Sequence, residues 1–134
     1  MLTKTELAKL QQDLTEYDRT REKLLELTRK TTRLAGWAII QIHRQQLSKA
    51  KMTLKDAEET IAQVRDLLDR GSEFKQAGYV IAAFQEFAEA KVLLSYVSRR
   101  ELLSRRQVGA DWMPYLLGLL DFVGELRRMT MDQL

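Results

Sequence analysis

The chain has 134 residues, with 22 Lys and Arg against 19 Asp and Glu for a formal net charge of +3. That is one domain's worth of sequence with room for a single core. It has no cysteine, which excludes disulfide scaffolds, zinc ribbons, thiol nucleophiles and iron–sulfur ligation. One proline, six glycines and 45% hydrophobic residues argue against disorder and against a turn-rich β sandwich.

A first helix is expected over about 3–48. Leu7, Leu10, Leu14, Tyr17 and Leu24 recur at three- and four-residue steps, and Leu27, Leu34, Trp37 and Ile40 continue the stripe less regularly. Gly36 is a candidate bend. So long a helix cannot be buried end to end in this domain, and it should serve as a bundle spine or a subunit contact. The second helix is placed at 54–68, with Asp56, Glu58 and Glu59 in its first turn and Gly71 as its stop. The third should start at Ser72 as N-cap and run through Tyr96, extending toward Arg106. The fourth follows the capping Asp111, with Pro114 in its first turn, and runs to the C-terminus. The fold class is therefore all-α, an antiparallel bundle of about four long helices. No helix terminator precedes Leu134, so residues 1–134 are expected to be a single helical domain from the N-terminal part of a longer subunit. No apolar run reaches the ~20 residues of a membrane span, and the N-terminus has no signal-peptide core. A cytoplasmic protein without membrane association is expected.

Charge is unevenly spread, at +4 over residues 1–50, −2 over 51–98 and +1 over 99–134. The third helix is apolar nearly all round, yet FQEFAEA (84–90) carries Glu86 and Glu89, about 60° apart on the helix. In the fourth, WMPYLLGLLDFVGEL (112–126) has no basic residue and two acids, Asp121 and Glu125, about 40° apart. Gly118 lies near that face, where a missing side chain allows close approach. An ionised carboxylate in low dielectric costs several kcal/mol unless paired or metal-bound. Four of them on two apolar helices suit a hard divalent cation, Mg²⁺ or Mn²⁺, provided their oxygens converge to within about 8 Å, given Mg–O distances near 2 Å. The bland alternative is that each pair marks a solvated helix edge or pairs with Lys91, Arg127 and Arg128.

Other carboxylate chemistries can be tested by inventory. A ferritin-like di-iron bundle needs Glu-x-x-His on two helices, but the single histidine, His43, has Ile40 at that spacing. A helical nucleotide pyrophosphatase would show EExxE followed by ExxD; position 85 is Gln and the second motif is DxxxE, a partial match. The cluster Arg99, Arg100, Arg105 and Arg106 is suited to phosphate contact or to an exposed helix end. His43 and Arg44 could face nucleic acid or solvent. Trp37 and Trp112 are read as core.

YLLGLLDFVGELRRM (115–129), together with FQEFAEA, resembles the two acidic motifs of the translin family, especially the type of translin-associated factor X (Trax). REKLLELTRKTTRLAGWAIIQIHR (21–44) is similar to that family's long first helix. The resemblance implies an all-α fold, closed oligomers that bind single-stranded nucleic acid, and further C-terminal helices absent from this chain. For Trax-type subunits it implies a Mg²⁺-dependent endoribonuclease acting on single-stranded RNA, with catalytic and metal-holding acids at Glu86, Glu89, Asp121 and Glu125. Single-stranded DNA and a translin-type partner subunit are further implied. A non-catalytic module binding single-stranded DNA or RNA is the runner-up.

Overall fold

The computed structural model describes residues 1–132. Helix α1 spans Lys4–His43, α2 Leu47–Arg70, α3 Gly78–Arg99, α4 Arg105–Val108 and α5 Trp112–Asp132, with a 3₁₀ turn at Ser72–Phe74. Among the described residues there is no strand, as expected of an all-α chain. No described helix is long and apolar enough to cross a membrane.

Thr3 starts α1 through a reciprocal cap. Its hydroxyl accepts from the Glu6 N–H at 3.1 Å, and the Glu6 carboxylate accepts from the Thr3 N–H at 2.8 Å. Forty residues at 1.5 Å each make this helix about 60 Å long. It is straight through Gly36 in secondary structure, with no break. From Leu24 onward one face is core, including Leu24, Leu27, Ala35, Ala38 and Ile42, but Trp37 and Ile40 of the expected stripe are exposed, so Trp37 is not core. Leu7, Leu10 and Leu14 are exposed instead, and Tyr17 finds only the Phe74 ring, stacked at 4.8 Å. The helix is thus a spine over its second half and an uncovered projection over its first.

The turn into α2 comes earlier than the sequence indicates. Gln45 adopts φ +59°, and the Gln46 N–H closes back onto the Gln41 carbonyl at 2.9 Å, the left-handed helix ending that glycine usually supplies. Helix α2 therefore begins at Leu47, seven residues before the expected start, and Asp56, Glu58 and Glu59 fall in its middle. Gly71 does follow the helix, but at φ −129°; its use there is room, since a Cβ would lie 3.1 Å from the Phe74 ring. Ser72 opens only the 3₁₀ turn, and α3 starts at Gly78. At the other end Arg100, at φ +60°, stops α3, so the helix does not extend to Arg106.

Helix α3 is the centre of the bundle. Phe84, Phe87, Ala88, Ala90, Val92 and Leu93 are all buried among α1, α2 and α5. Helix α2 runs antiparallel to it, with Arg65 over the Phe84 ring and Glu58 bonded to Lys91 at 2.8 Å. Residues 100–111 then return along α2, where the Arg65 guanidinium donates to the carbonyls of Val108 and Gly109 at 3.3 and 2.8 Å. This return sends α5 alongside α3 in the same direction. Pro114 shares a cavity with Val80 and Phe84, Gly118 lies on Gln85 and Ala88, and Phe122 meets Tyr96 edge-on at 5.5 Å. The expected antiparallel relation thus holds for α2 against its neighbours, and α5 departs from it. Only one face of α5 is covered; Trp112, Leu116, Leu120 and Val123 are exposed, so Trp112 is not core.

Two glycines should respond oppositely to the same change. A Cβ at Gly118 would lie 2.9 Å from both the Ala88 Cβ and the Gln85 carbonyl oxygen, neither of which can swing aside. Gly118→Ala should destabilise by about 1–3 kcal/mol. At Gly36 no atom lies within 4 Å of that position, and Gly36→Ala should stabilise the helix by roughly 0.5–1 kcal/mol. Thermal melts of the two variants check both signs.

Candidate functional site

The acid pairs of α3 and α5 meet where Gly118 lets the helices touch. Asp121 stands one turn beyond that contact, facing Glu86 and Glu89. One carboxylate oxygen from each of Glu86, Glu89 and Asp121 lies within 4.8 Å of the others, inside the limit of about 8 Å and close to the ~4 Å that two oxygens span across one ion at about 2 Å each. Gly36 and Ile39 of α1 and Leu120 and Gly124 of α5 complete an open cavity of about 400 Å³ over the three acids. A Cβ on Gly36 or Gly124 would meet nothing, so these walls leave the cavity wide.

Glu89 is buried and Glu86 half-buried. Burial, followed by the charges of Glu86, Asp121 and Glu125, pushes the Glu89 carboxyl up to about 8, with Arg128 acting weakly the other way. Burial again, then the charges of Asp121 and Glu125, raises Glu86 above the ordinary carboxylate range. Asp121 is oriented from α3, where the Gln85 amide donates to its Oδ2 at 2.7 Å.

Of the basic partners offered by the bland alternative, Lys91 turns away to Glu58. Arg127 is exposed. Arg128 does pair, but with Glu125, at 3.1 Å. Among the described residues, Glu86 and Glu89 have no ion-pair partner. Three all-oxygen donors from two rigid helices, one too buried to ionise freely, fit a hard divalent cation such as Mg²⁺.

Glu125 lines the same cavity but is not in the 4.8 Å group. Its Oε2 accepts from His43 Nε2 at 2.6 Å and its Oε1 from Arg128 at 3.1 Å, one bond to each oxygen. His43 accordingly belongs to the site margin rather than to a free helix end. Arg44 is exposed and lies over the Trp37 ring at 5.7 Å. Arg99, Arg100, Arg105 and Arg106 are exposed. Arg99 is ten residues past Glu89, about 15 Å along the helix, and reaches Glu101 at 3.7 Å. Arg100 covers the Tyr96 ring. The structure brings none of these arginines to the acids. Gln85, Arg128 and the Gly36–Ile39 wall were not singled out as site residues. Gln85, inside the FQE motif, and Arg128, three residues after Glu125, carried a sequence signal.

These features define a helical bundle of one family: residues 3–134 match the model of the Translin family, and the chain belongs to it. Over 119 residues it is 32% identical to an uncharacterized protein of Methanocaldococcus jannaschii, covering 86% of this chain and 51% of that one. The chain therefore spans about half the length of this curated relative. The crystal structure of apo-NeC3PO superposes with a TM-score of 0.88 at 20% identity, over 99% of this chain and 69% of its own. The structure of an AfC3PO–duplex RNA complex gives 0.83 at 26% identity, over 95% and 65%.

Because folding raises the Glu89 pKa, the native state binds its proton more tightly than the unfolded chain. The resulting stability is complete below the ordinary 4.5 and is lost as pH rises toward about 8. Melting temperature in chelator should fall across that interval. Glu89→Gln should flatten the fall and be the more stable protein at pH 8, by on the order of a few kcal/mol. A pH-independent wild-type melt would contradict this assignment.

Proposed function

We propose that this chain carries the cleavage site of a Trax-like, metal-dependent endoribonuclease of the translin family that acts on single-stranded RNA. The observation that carries the reading is the convergence of Glu86, Glu89 and Asp121 within 4.8 Å on two apolar helices, with no cation of the protein between them. The match to the family and the fold shared with AfC3PO, a protein solved with duplex RNA, support nucleic acid as the ligand class.

Glu86, Glu89 and Asp121 would hold Mg²⁺, or Mn²⁺ in its place. The chemistry supplied by such a cation is neutralisation of phosphodiester charge and activation of a water. The chain's own residues do the positioning. Gln85 fixes the rotamer of Asp121, and the α3–α5 contact holds the carboxylates on helices rather than loops, as precise placement demands. Arg128, exposed at the cavity rim, is placed to meet a phosphate. The net +4 of the first fifty residues adds a longer-range attraction for the strand. The uncovered apolar residues of α1 and α5 support assembly into an oligomer, with further copies or a translin-type subunit.

Labelled single-stranded RNA, duplex RNA and single-stranded DNA, each with Mg²⁺ and with chelator, test the reading. Cleavage of single-stranded RNA should require the metal. Glu89→Gln and Asp121→Asn should abolish it while leaving RNA affinity nearly intact. Cleavage that persists in chelator or in either variant contradicts the metal site. Binding by every protein without any cleavage favours the non-catalytic module. Affinity should also drop steeply with added salt, the signature of counterion release from phosphates; a flat response argues against nucleic acid altogether.

A further inference from the structure

Helix α3 has a second recess, on the side away from the acids. Ser98 is nine residues past Glu89, about 180° around the helix, and lines a cavity of about 340 Å³ between α2 and α3. Four cations line it, Lys51 and Lys55 from α2 and Lys91 and Arg99 from α3, against a single acid, Glu58. Lys91 is committed to Glu58 at 2.8 Å. Arg99 reaches Glu101 only at 3.7 Å, with both side chains more than half exposed, and its Nη2 donates to the Ser95 hydroxyl at 3.4 Å. Lys51 and Lys55 have no ion-pair partner among the described residues. Leu54, Leu94 and Leu103 supply the apolar part of the lining. The Ser98 hydroxyl is buried without a hydrogen-bond partner, an unfavourable condition that a ligand oxygen relieves once the side chain turns to it.

We infer that this recess binds a phosphate monoester carried on a nucleoside, at a place separate from the acidic cluster. Lys51 and Lys55 stand four residues apart on one helix face, where like charges repel, and an anion between them and Arg99 reverses that cost. The charge fits a monoester, which carries about −1.5 to −2 at neutral pH, better than a strand's internal phosphodiester, which carries one. The three leucines offer the sugar and base an apolar surface, and a mainly apolar wall with a few polar anchors is the usual make-up of a small-ligand site. A phosphate held here is half a turn of α3 away from Glu89, so it is not the phosphate that the acids address. Arg99, which the acidic site leaves unused, acquires a role.

Titration of the isotope-labelled chain with AMP in chelator, followed by amide nuclear magnetic resonance, tests the inference without any metal at the acids. The amides of Lys51, Lys55, Ser95, Ser98 and Arg99 should shift, and those of Glu86 and Asp121 should not. Adenosine, which lacks the phosphate, should bind at least about tenfold more weakly, the scale of a charge-assisted hydrogen bond. Lys51→Gln/Lys55→Gln alters two exposed positions, so it should fold as the wild type does and lose a similar factor in AMP affinity. Ser98→Ala should weaken AMP binding several-fold yet melt no lower than the wild type, because the hydroxyl it removes has no partner in the fold. A single-stranded oligoribonucleotide with and without a terminal phosphate separates the two carriers of the same group. Shifts in the recess that require the strand's terminal phosphate assign a strand end, and shifts with AMP alone assign a free nucleotide; either supports the site. No shift in the recess, equal binding of adenosine and AMP, or unchanged AMP affinity in both variants overturns it, as do shifts confined to the acids.

Discussion

The contact between Gly118 and the α3 backbone sets the separation on which the site depends. With only a hydrogen at Gly118, α5 settles against Gln85, Ala88 and Glu89 closely enough that an added Cβ would overlap them. Asp121, one turn on, is carried to the same depth and reaches Glu86 and Glu89. Widen the interface by the radius of a methyl group and the oxygens separate by a comparable amount, because helices move as rigid bodies when their packed faces shift. The returning segment matters for the same reason. By docking Val108 and Gly109 on Arg65 it delivers α5 to the beginning of α3, so that both acid pairs arrive at one level.

Packing of this kind concentrates like charge, and the protein treats its four acids in two different ways. Glu125 is hydrogen-bonded by His43 and paired with Arg128. Glu86 and Glu89 are left without such partners, and burial beside the other carboxylates pushes the Glu89 carboxyl up to about 8. Removing charges from water without compensation is unfavourable, and evolution or design seeking only stability would fill these positions with leucine. A cluster kept in that condition stores a demand for positive charge, which is the physical content of calling it a site.

Periodicity made the acids legible. Glu86 and Glu89 at a three-residue step, and Asp121 and Glu125 at four, fix shared faces on any helix, and the apolar surroundings announce burial. What spacing could not supply was the relation between faces on different elements. Nothing near His43 in the sequence signals a partner 82 residues away, and nothing in DFVGEL distinguishes the acid that joins the cluster from the one that is bonded elsewhere. The helix boundaries failed for a local reason. The sequence marks the end of α1 with Gln45 in a conformation that glycine commonly takes, so the turn had no punctuation and α2 was started too late. The direction of α5 was hidden because twelve residues between helices are enough either to turn back tightly or to cross the length of a neighbour. Only the docking of Arg65 on two carbonyls decides between them.

The projecting first half of α1 gives the helix two thermodynamic characters. From Leu24 to Ile42 its amides are tied to the core and can exchange with solvent only when the domain opens as a whole. The first nineteen residues are exposed throughout, held by the Thr3 cap, a Lys9–Asp13 pair at 3.0 Å and one aromatic stack. An isolated helix of such length is marginal in water. With so few contacts, this arm is expected to open locally at lower free energy than the bundle beneath it. Any surface that comes to lie along Leu7, Leu10 and Leu14 would convert it from a fraying end into a cooperative part of the fold, and would register as slowed exchange over those turns.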